Sequence, residues 1–148
     1  MRHPLHDYSG GGYFITFTTQ RRLPLLGRLD TGVFSILPAG EIVLDVWHEI
    51  PGRFELVTLD TIQLMPDHAH CILLINSGMD INKEDGKAFL PVVLHWFKGS
   101  SAIRIKKLLG WTGKVWGRGY HDRIIRNESE LDKFRNYIQT NPFRSTLK

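Results

Sequence analysis

Met65-Pro-Asp-His68-Ala-His70-Cys-Ile-Leu-Leu-Ile75 is the stretch on which the reading of this chain turns. From Cys71 to Ile75 the residues are apolar without interruption, so neither face of a strand built from them is polar. That pattern belongs to the middle of a sheet rather than its edge. Met65-Pro66-Asp67 then forms a short connection from a preceding strand, with proline and aspartate as turn formers. Successive side chains of a strand alternate between faces, so His68 and His70 point the same way with one residue between them.

On the N-terminal side, Phe54 to Leu64 reads as the strand that leads into the connection. Before it, Ile42, Val43, Val46, Trp47 and Ile50 fall on one helical face, and Pro51-Gly52 is expected to stop that helix. Tyr13-Phe-Ile-Thr-Phe-Thr-Thr19 is rich in aromatic and β-branched residues and reads as the first strand. The glycines at 10–12 precede it as flexible lead-in; no Gly-Lys-Ser/Thr follows, as a phosphate loop would require.

On the C-terminal side, residues 76–90 are polar and rich in breakers, and read as a loop. A helix is expected from Pro91, with Val93, Trp96, Phe97, Ile103 and Leu108 inward and Gly99-Ser100 weakening its middle. Tyr120 to Arg126 reads as a fourth strand. Asn127 then caps a last helix, with Glu130 in capping-box position and Leu131, Phe134 and Ile138 as its buried stripe. The order strand, helix, strand, strand, helix, strand, helix is that of an α+β ferredoxin-like sandwich: a central antiparallel sheet, helices packed on it, and an added C-terminal helix.

The 148 residues suit a single domain spanning 1–148. With 42% apolar and 23% charged residues the chain has the composition of a globular protein. The net charge of +4 leans toward a polyanionic partner. The single cysteine, Cys71, excludes an internal disulfide framework and a four-cysteine zinc site, and its place in the apolar strand reads as core filler. No apolar run reaches signal-peptide or membrane-span length, so the expected compartment is the cytoplasm and no membrane partner is expected.

Two strand histidines do not complete a metal site. The group that matches them chemically is Tyr137-Ile-Gln-Thr-Asn141, where a phenol and an amide sit four residues apart on the flank of the last helix. Pro142 disfavours α geometry at Asn141 and is expected to loosen that spacing. An ordinary phenol, with a pKa of about 10, is a poor nucleophile at neutral pH. It attacks a phosphodiester more readily when a metal withdraws charge from the non-bridging oxygens and aligns the scissile bond. Imidazole and amide ligands are neutral, leaving the full charge of the ion facing the phosphate, and three protein ligands leave coordination positions open. Tyr120 is a rival nucleophile, with His121 beside it as an apparent base.

These residues resemble the His-hydrophobe-His signature of the HUH endonucleases, and more closely the REP-associated tyrosine transposases of the insertion-sequence 200-like superfamily. The resemblance extends through Asp7-Tyr8-Ser9, Gly12-Tyr-Phe-Ile-Thr16, Thr19-Gln20, Trp47-His-Glu-Ile-Pro51, Phe54, Leu59-Asp60, Trp116, Gly119-Tyr-His-Asp122, Ile124-Ile-Arg126 and Tyr137-Ile-x-x-Asn-Pro142. It implies that His68, His70 and Asn141 are ligands of a divalent metal, Mg²⁺ or Mn²⁺, and that Tyr137 is the catalytic nucleophile. It implies nicking and rejoining of single-stranded DNA at hairpin elements, through a 5′-phosphotyrosine intermediate and a free 3′ hydroxyl. Members of the group act as monomers or homodimers. The sequence departs from the pattern at Ala69, where a bulkier residue is usual, at Asp67, where asparagine is common, and at Gly117 and Arg123.

Basic residues expected to meet DNA are Arg21, Arg22, Arg104, Lys107, Arg118, Arg123 and Arg126. Three other readings compete: a hairpin-DNA-binding protein of the same fold without turnover, a metal-dependent hydrolase using water with Tyr137 structural, and an RNA binder stacking bases on an open sheet face. The apolar character of both faces of the central strand argues against the last.

Overall fold

A computed structural model describes the backbone of residues 11–76 and 83–147, and the side chains of residues 11–76 and 89–140. Asp7-Tyr8-Ser9 and Gly10 lie outside the described residues. The elements are β1 (Gly12–Thr18), β2 (Gly27–Asp30), β3 (Val33–Ile36), α1 (Pro38–Arg53), β4 (Val57–Met65), β5 (His68–Ile75), α2 (Lys83–Leu109), β6 (His121–Ile125) and α3 (Glu128–Leu147). Four strands form one antiparallel sheet in the order β4-β5-β1-β6. The crossovers β1-α1-β4 and β5-α2-β6 each pass over one intervening strand, which is the ferredoxin-like topology expected from the sequence.

β5 is an inner strand, and every residue from Ala69 to Ile75 is buried. Its two faces serve two cores. Ala69, Cys71, Leu73 and Ile75 pack with Tyr13, Ile15 and Phe17 of β1 against Val43, Trp47 and Ile50 of α1 and Val93 and Phe97 of α2. Ile72 and Leu74 pack with Phe14 and Ile125 against Leu131, Phe134 and Ile138 of α3. Burial of Cys71 in the first core pushes its thiol far up from the ordinary value, so it is apolar filling. Among the described residues no helix is long and apolar enough to cross a membrane.

Local chemistry explains where the elements start and stop, and where they depart from expectation. Asn127 caps α3 by accepting the Glu130 N–H at 2.9 Å, while the Glu130 carboxylate accepts the Arg126 N–H at 2.7 Å. α3 stays helical through Asn141 and Pro142 to Leu147, so the loosening expected there is absent from the backbone. α1 likewise runs past Pro51 to Arg53 and closes with the Phe54 N–H donating to the Ile50 carbonyl at 2.8 Å. A proline that near the end of a helix costs one hydrogen bond without ending the last turn.

The loop expected over 76–90 gives way to helix at Lys83, and Pro91 lies inside α2. Charged residues such as Lys83 and Glu84 favour helix as readily as loop, so polarity alone could not set that boundary. Gly99-Ser100 does not interrupt α2. The neighbouring Ser101 is buried, donates to the Phe97 carbonyl at 2.7 Å and accepts the Trp116 indole N–H at 2.9 Å.

The hairpin β2–β3 has no counterpart in the sequence reading. It turns at Thr31 (φ 48°) and Gly32 (φ 83°), two successive left-handed residues that suit the twist of a two-residue hairpin. Thr-Gly is a weaker signal than Asn-Gly, and four-residue strands that are mostly exposed carry little periodicity. The hairpin holds the start of α1: the Leu37 N–H donates to the Leu26 carbonyl at 3.0 Å, and a Cβ on Gly40 would stand 2.2 Å from that oxygen. Gly40→Ala must therefore push α1 off this strand end. We expect a loss of about 1–3 kcal/mol, as for other overpacked sites, read from urea denaturation; an unchanged midpoint would show that residues 24–26 yield freely.

Candidate active site

The antiparallel register sets Thr16 of β1 opposite His70 and Thr18 opposite His68, on the face covered by α3. Strand alternation places both imidazoles on that face, with ring centroids 4.8 Å apart and nearly perpendicular. His70 is buried under α3, whereas His68 at the start of β5 is half-buried. Phe14, one pair further along β1, lies parallel to the His70 ring at 5.5 Å and to Phe134 of α3 at 4.7 Å.

Each imidazole is held through its Nδ1. Asp67 Oδ1 lies 2.7 Å from His68 Nδ1, and Asp67 Oδ2 accepts from Arg22 Nε at 2.9 Å. Burial would raise the Asp67 pKa, but the hydrogen bonds from His68 and Arg22 outweigh it and hold the carboxyl below its ordinary value. An ionised carboxylate only accepts, so the His68 Nδ1 that faces it carries a proton. His70 Nδ1 sits 2.9 Å from Thr16 Oγ1. Burial, and secondarily the charge of His68, lower the His70 pKa to about 4, so this imidazole is neutral at ordinary pH. Two imidazoles on one strand face, each oriented by a hydrogen bond at Nδ1, have the donor chemistry that a divalent metal requires.

Tyr137 reaches this pair from α3. Its ring meets His70 edge-on at 5.6 Å and Phe14 at 5.9 Å, and the residue is 38% exposed, so the phenol has access to a ligand from solvent. Tyr120 is elsewhere: its ring packs 6.2 Å from Phe17, in the core under α1 and α2 across the sheet. The Asn141 backbone continues α3 one turn beyond Tyr137, and its side chain lies outside the described residues. Among the described residues no group of three or more His, Cys, Asp and Glu side chains is arranged to hold a metal ion.

Two clefts, each of about 580 Å³, meet at Thr16, His70 and Tyr137. One runs between β6 and α3, lined by His121, Arg123, Lys133 and Phe134. The other runs toward the hairpin, lined by Arg22, Leu29, Pro66, Asp67 and His68. Of the basic residues singled out in the sequence, Arg22 and Arg123 reach these clefts. Arg21 is exposed beside Arg22, and Arg126 is exposed at the start of α3. Arg104 lies on the far layer, where both its terminal nitrogens bond the Glu49 carboxylate at 2.6 Å. Lys107 is exposed on α2, and Arg118 borders a separate cleft with Lys98, Lys106 and Lys114.

Sequence reasoning did not assign roles to Thr16, Asp67, Phe14 or Lys133. Asp67 adjoins His68 in the chain, so its proximity was legible. Thr16 could be matched to His70 only once the β1–β5 register was known.

The sequence profile described as "Transposase IS200 like" matches residues 39–141. An uncharacterized protein of Haemophilus influenzae is 31% identical over 151 aligned positions, covering 90% of this chain and 81% of its own. Among solved structures, a REP-associated tyrosine transposase bound to a REP hairpin superposes with a TM-score of 0.66 at 18% identity, over 98% of this chain and 72% of that one. A Deinococcus radiodurans protein provisionally described as a transposase superposes with a TM-score of 0.56, also at 18% identity, over 87% and 88% of the two chains. At that identity the structural matches speak for the fold, while the profile covers most of the chain, from the start of α1 through Tyr137: the protein belongs to the IS200-like transposase family.

Proposed function

We propose that this transposase nicks and rejoins single-stranded DNA at hairpin elements, with Tyr137 as nucleophile and His68, His70 and Asn141 as ligands of a divalent metal. The observation that carries the reading is the position of the Tyr137 ring, 5.6 Å from His70 and on the face where both histidines point. His68 and His70 would hold Mg²⁺ or Mn²⁺ through their Nε2 atoms, and a bound ion supplies Lewis-acid charge at the non-bridging phosphate oxygens.

Attack by Tyr137 Oη forms an Oη–P bond and breaks the P–O3′ bond. The product is a 5′-phosphotyrosine ester, and the departing strand leaves with a 3′ hydroxyl after taking up a proton. The same hydroxyl attacking phosphorus restores the diester and the phenol, so bond energy is conserved in the tyrosyl ester. Arg123 lines one cleft and Arg22 the other, and the two would hold phosphates on either side of the scissile one. The hairpin substrate is carried over from the structural relative bound to a REP hairpin.

Tyr137→Phe removes one oxygen and little packing. It should retain hairpin binding and form no denaturation-resistant adduct with labelled hairpin DNA and Mn²⁺, while Tyr120→Phe keeps most of the rate. Peptide mapping that finds the nucleotide on Tyr120 would overturn the assignment, and a parent protein that binds the hairpin without any adduct would favour the reading without turnover.

His68→Ala and His70→Ala should each abolish cleavage. Asp67→Ala leaves both ligands in place but frees the His68 ring, so Mn²⁺ affinity in calorimetric titration should fall about 10–100-fold. Equal affinity in the variant would mean that Asp67 does not orient the ligand.

If about four basic side chains engage phosphates, log affinity for single-stranded DNA should fall against log salt with a slope of roughly −3. A slope near zero would remove the net positive charge from the account of binding.

A further inference from the structure

The stripe that seats α3 on the sheet is narrow: Leu131, Phe134 and Ile138. Such a stripe fixes how close a helix lies but resists rolling about its axis only weakly. At 3.6 residues per turn, Arg135 and Tyr137 fall on opposite flanks of that stripe. Tyr137 overhangs His70, and Arg135 reaches β4. There Arg135 Nε donates to Asp60 Oδ2 at 3.0 Å, its terminal nitrogen donates to Asp60 Oδ1, and Asp132 lies 3.5 Å from the other terminal nitrogen. The Asp60 side chain is completely buried and that of Arg135 is 10% exposed.

Asp60 lies at an irregularity in the sheet. β4 pairs Leu59 with Leu73 and Thr61 with Ile72, leaving Asp60 as an extra residue between them. Alternation from Leu59, which packs in the first core, sends Asp60 to the face of α3, and Thr61, opposite Ile72, lies on the same face, so this face carries an extra residue where Arg135 arrives. Burying two charges gains little net stability, because desolvation offsets their attraction. The geometry that a bidentate arginine fork imposes is the more specific contribution.

We propose that Asp60 and Arg135 are positioning residues that set the roll of α3 and thereby place the Tyr137 phenol over the histidines. This rests on the reading of Tyr137 as nucleophile. At a helix-surface radius of about 5–6 Å, a roll of about 10° carries a side-chain tip about 1 Å. A displacement of that size at a reacting atom can cost about a hundredfold in rate.

The test replaces the pair by apolar residues, Asp60→Leu with Arg135→Met, and compares it with Arg135→Lys, which keeps the charge and loses the fork. Melting temperature, hairpin affinity, the rate of tyrosyl-adduct formation and the NMR resonances of the His70 ring are measured. In the apolar pair, melting temperature and affinity should stay close to the parent's. The His70 resonances should move as the Tyr137 ring current changes, and the adduct rate should fall about tenfold or more. Arg135→Lys should fall between the two, and it decides the matter if the apolar pair does not fold. Unmoved His70 resonances, with or without a change in rate, would overturn the proposal. If the parent forms no adduct, the proposed reaction fails, and the resonances alone still decide whether the pair sets the tyrosine.

Discussion

The β1–β5 register is the constraint on which the site depends. Pairing Thr16 with His70 and Thr18 with His68 puts two hydroxyl-bearing residues beside two imidazoles, and the same register sets Phe14 beside Ile72 under α3. A slip of one residue would turn the histidines into the core of Phe97 and Trp47 and expose Cys71 and Leu73 to α3. Both faces of β5 are buried, so neither face could receive the wrong set without leaving polar groups unsatisfied. The apolar run after His70 thus specifies the site as firmly as the histidines themselves.

The site also balances charge. Burial keeps the His70 imidazole neutral, and the one carboxylate beside the pair, Asp67, is shared between His68 and Arg22. Negative charge is kept at the outer nitrogen of His68 and compensated by a guanidinium on its far side. A phosphate approaching Thr16, His70 and Tyr137 meets Arg22 in one cleft and Arg123 and Lys133 in the other. Asp122 is also in the second cleft, so the cationic character there comes from a mixture rather than from a uniform patch.

How much of this was legible depended on how local each signal is. The central strand, the facing histidines, the Asn127 cap and the buried stripe of α3 follow from alternation, periodicity and capping chemistry, which act over a few residues. The β2–β3 hairpin was not legible, because its strands are four residues long and turn on Thr31-Gly32. The helix limits expected at Pro51 and Pro91 were misplaced, and the loosening expected at Asn141 is absent from the backbone, because proline and polar residues are weak terminators of a helix. Thr16 against His70 and Asp60 against Arg135 are contacts across 54 and 75 residues of chain. Their partners are fixed by strand register and by where α3 lies on the sheet, neither of which has a local signature.

The same long-range contacts bear on how the tyrosine and the histidines are assembled. α3 follows β6 after only Arg126 and Asn127, and both are engaged with Glu130 at the capped end. A short capped connection of this kind leaves little freedom to swing the helix away from its own sheet. The Phe14–Phe134 stack and the Arg135–Asp60 pair then hold it at two places along β1 and β4. Tyr137 therefore meets His70 of the same chain. What remains free to vary is the content of the two clefts, whose walls come from the hairpin on one side and the edge strand β6 on the other. These are the elements least constrained by the core, so the cleft walls can change while the geometry at His68, His70 and Tyr137 stays fixed.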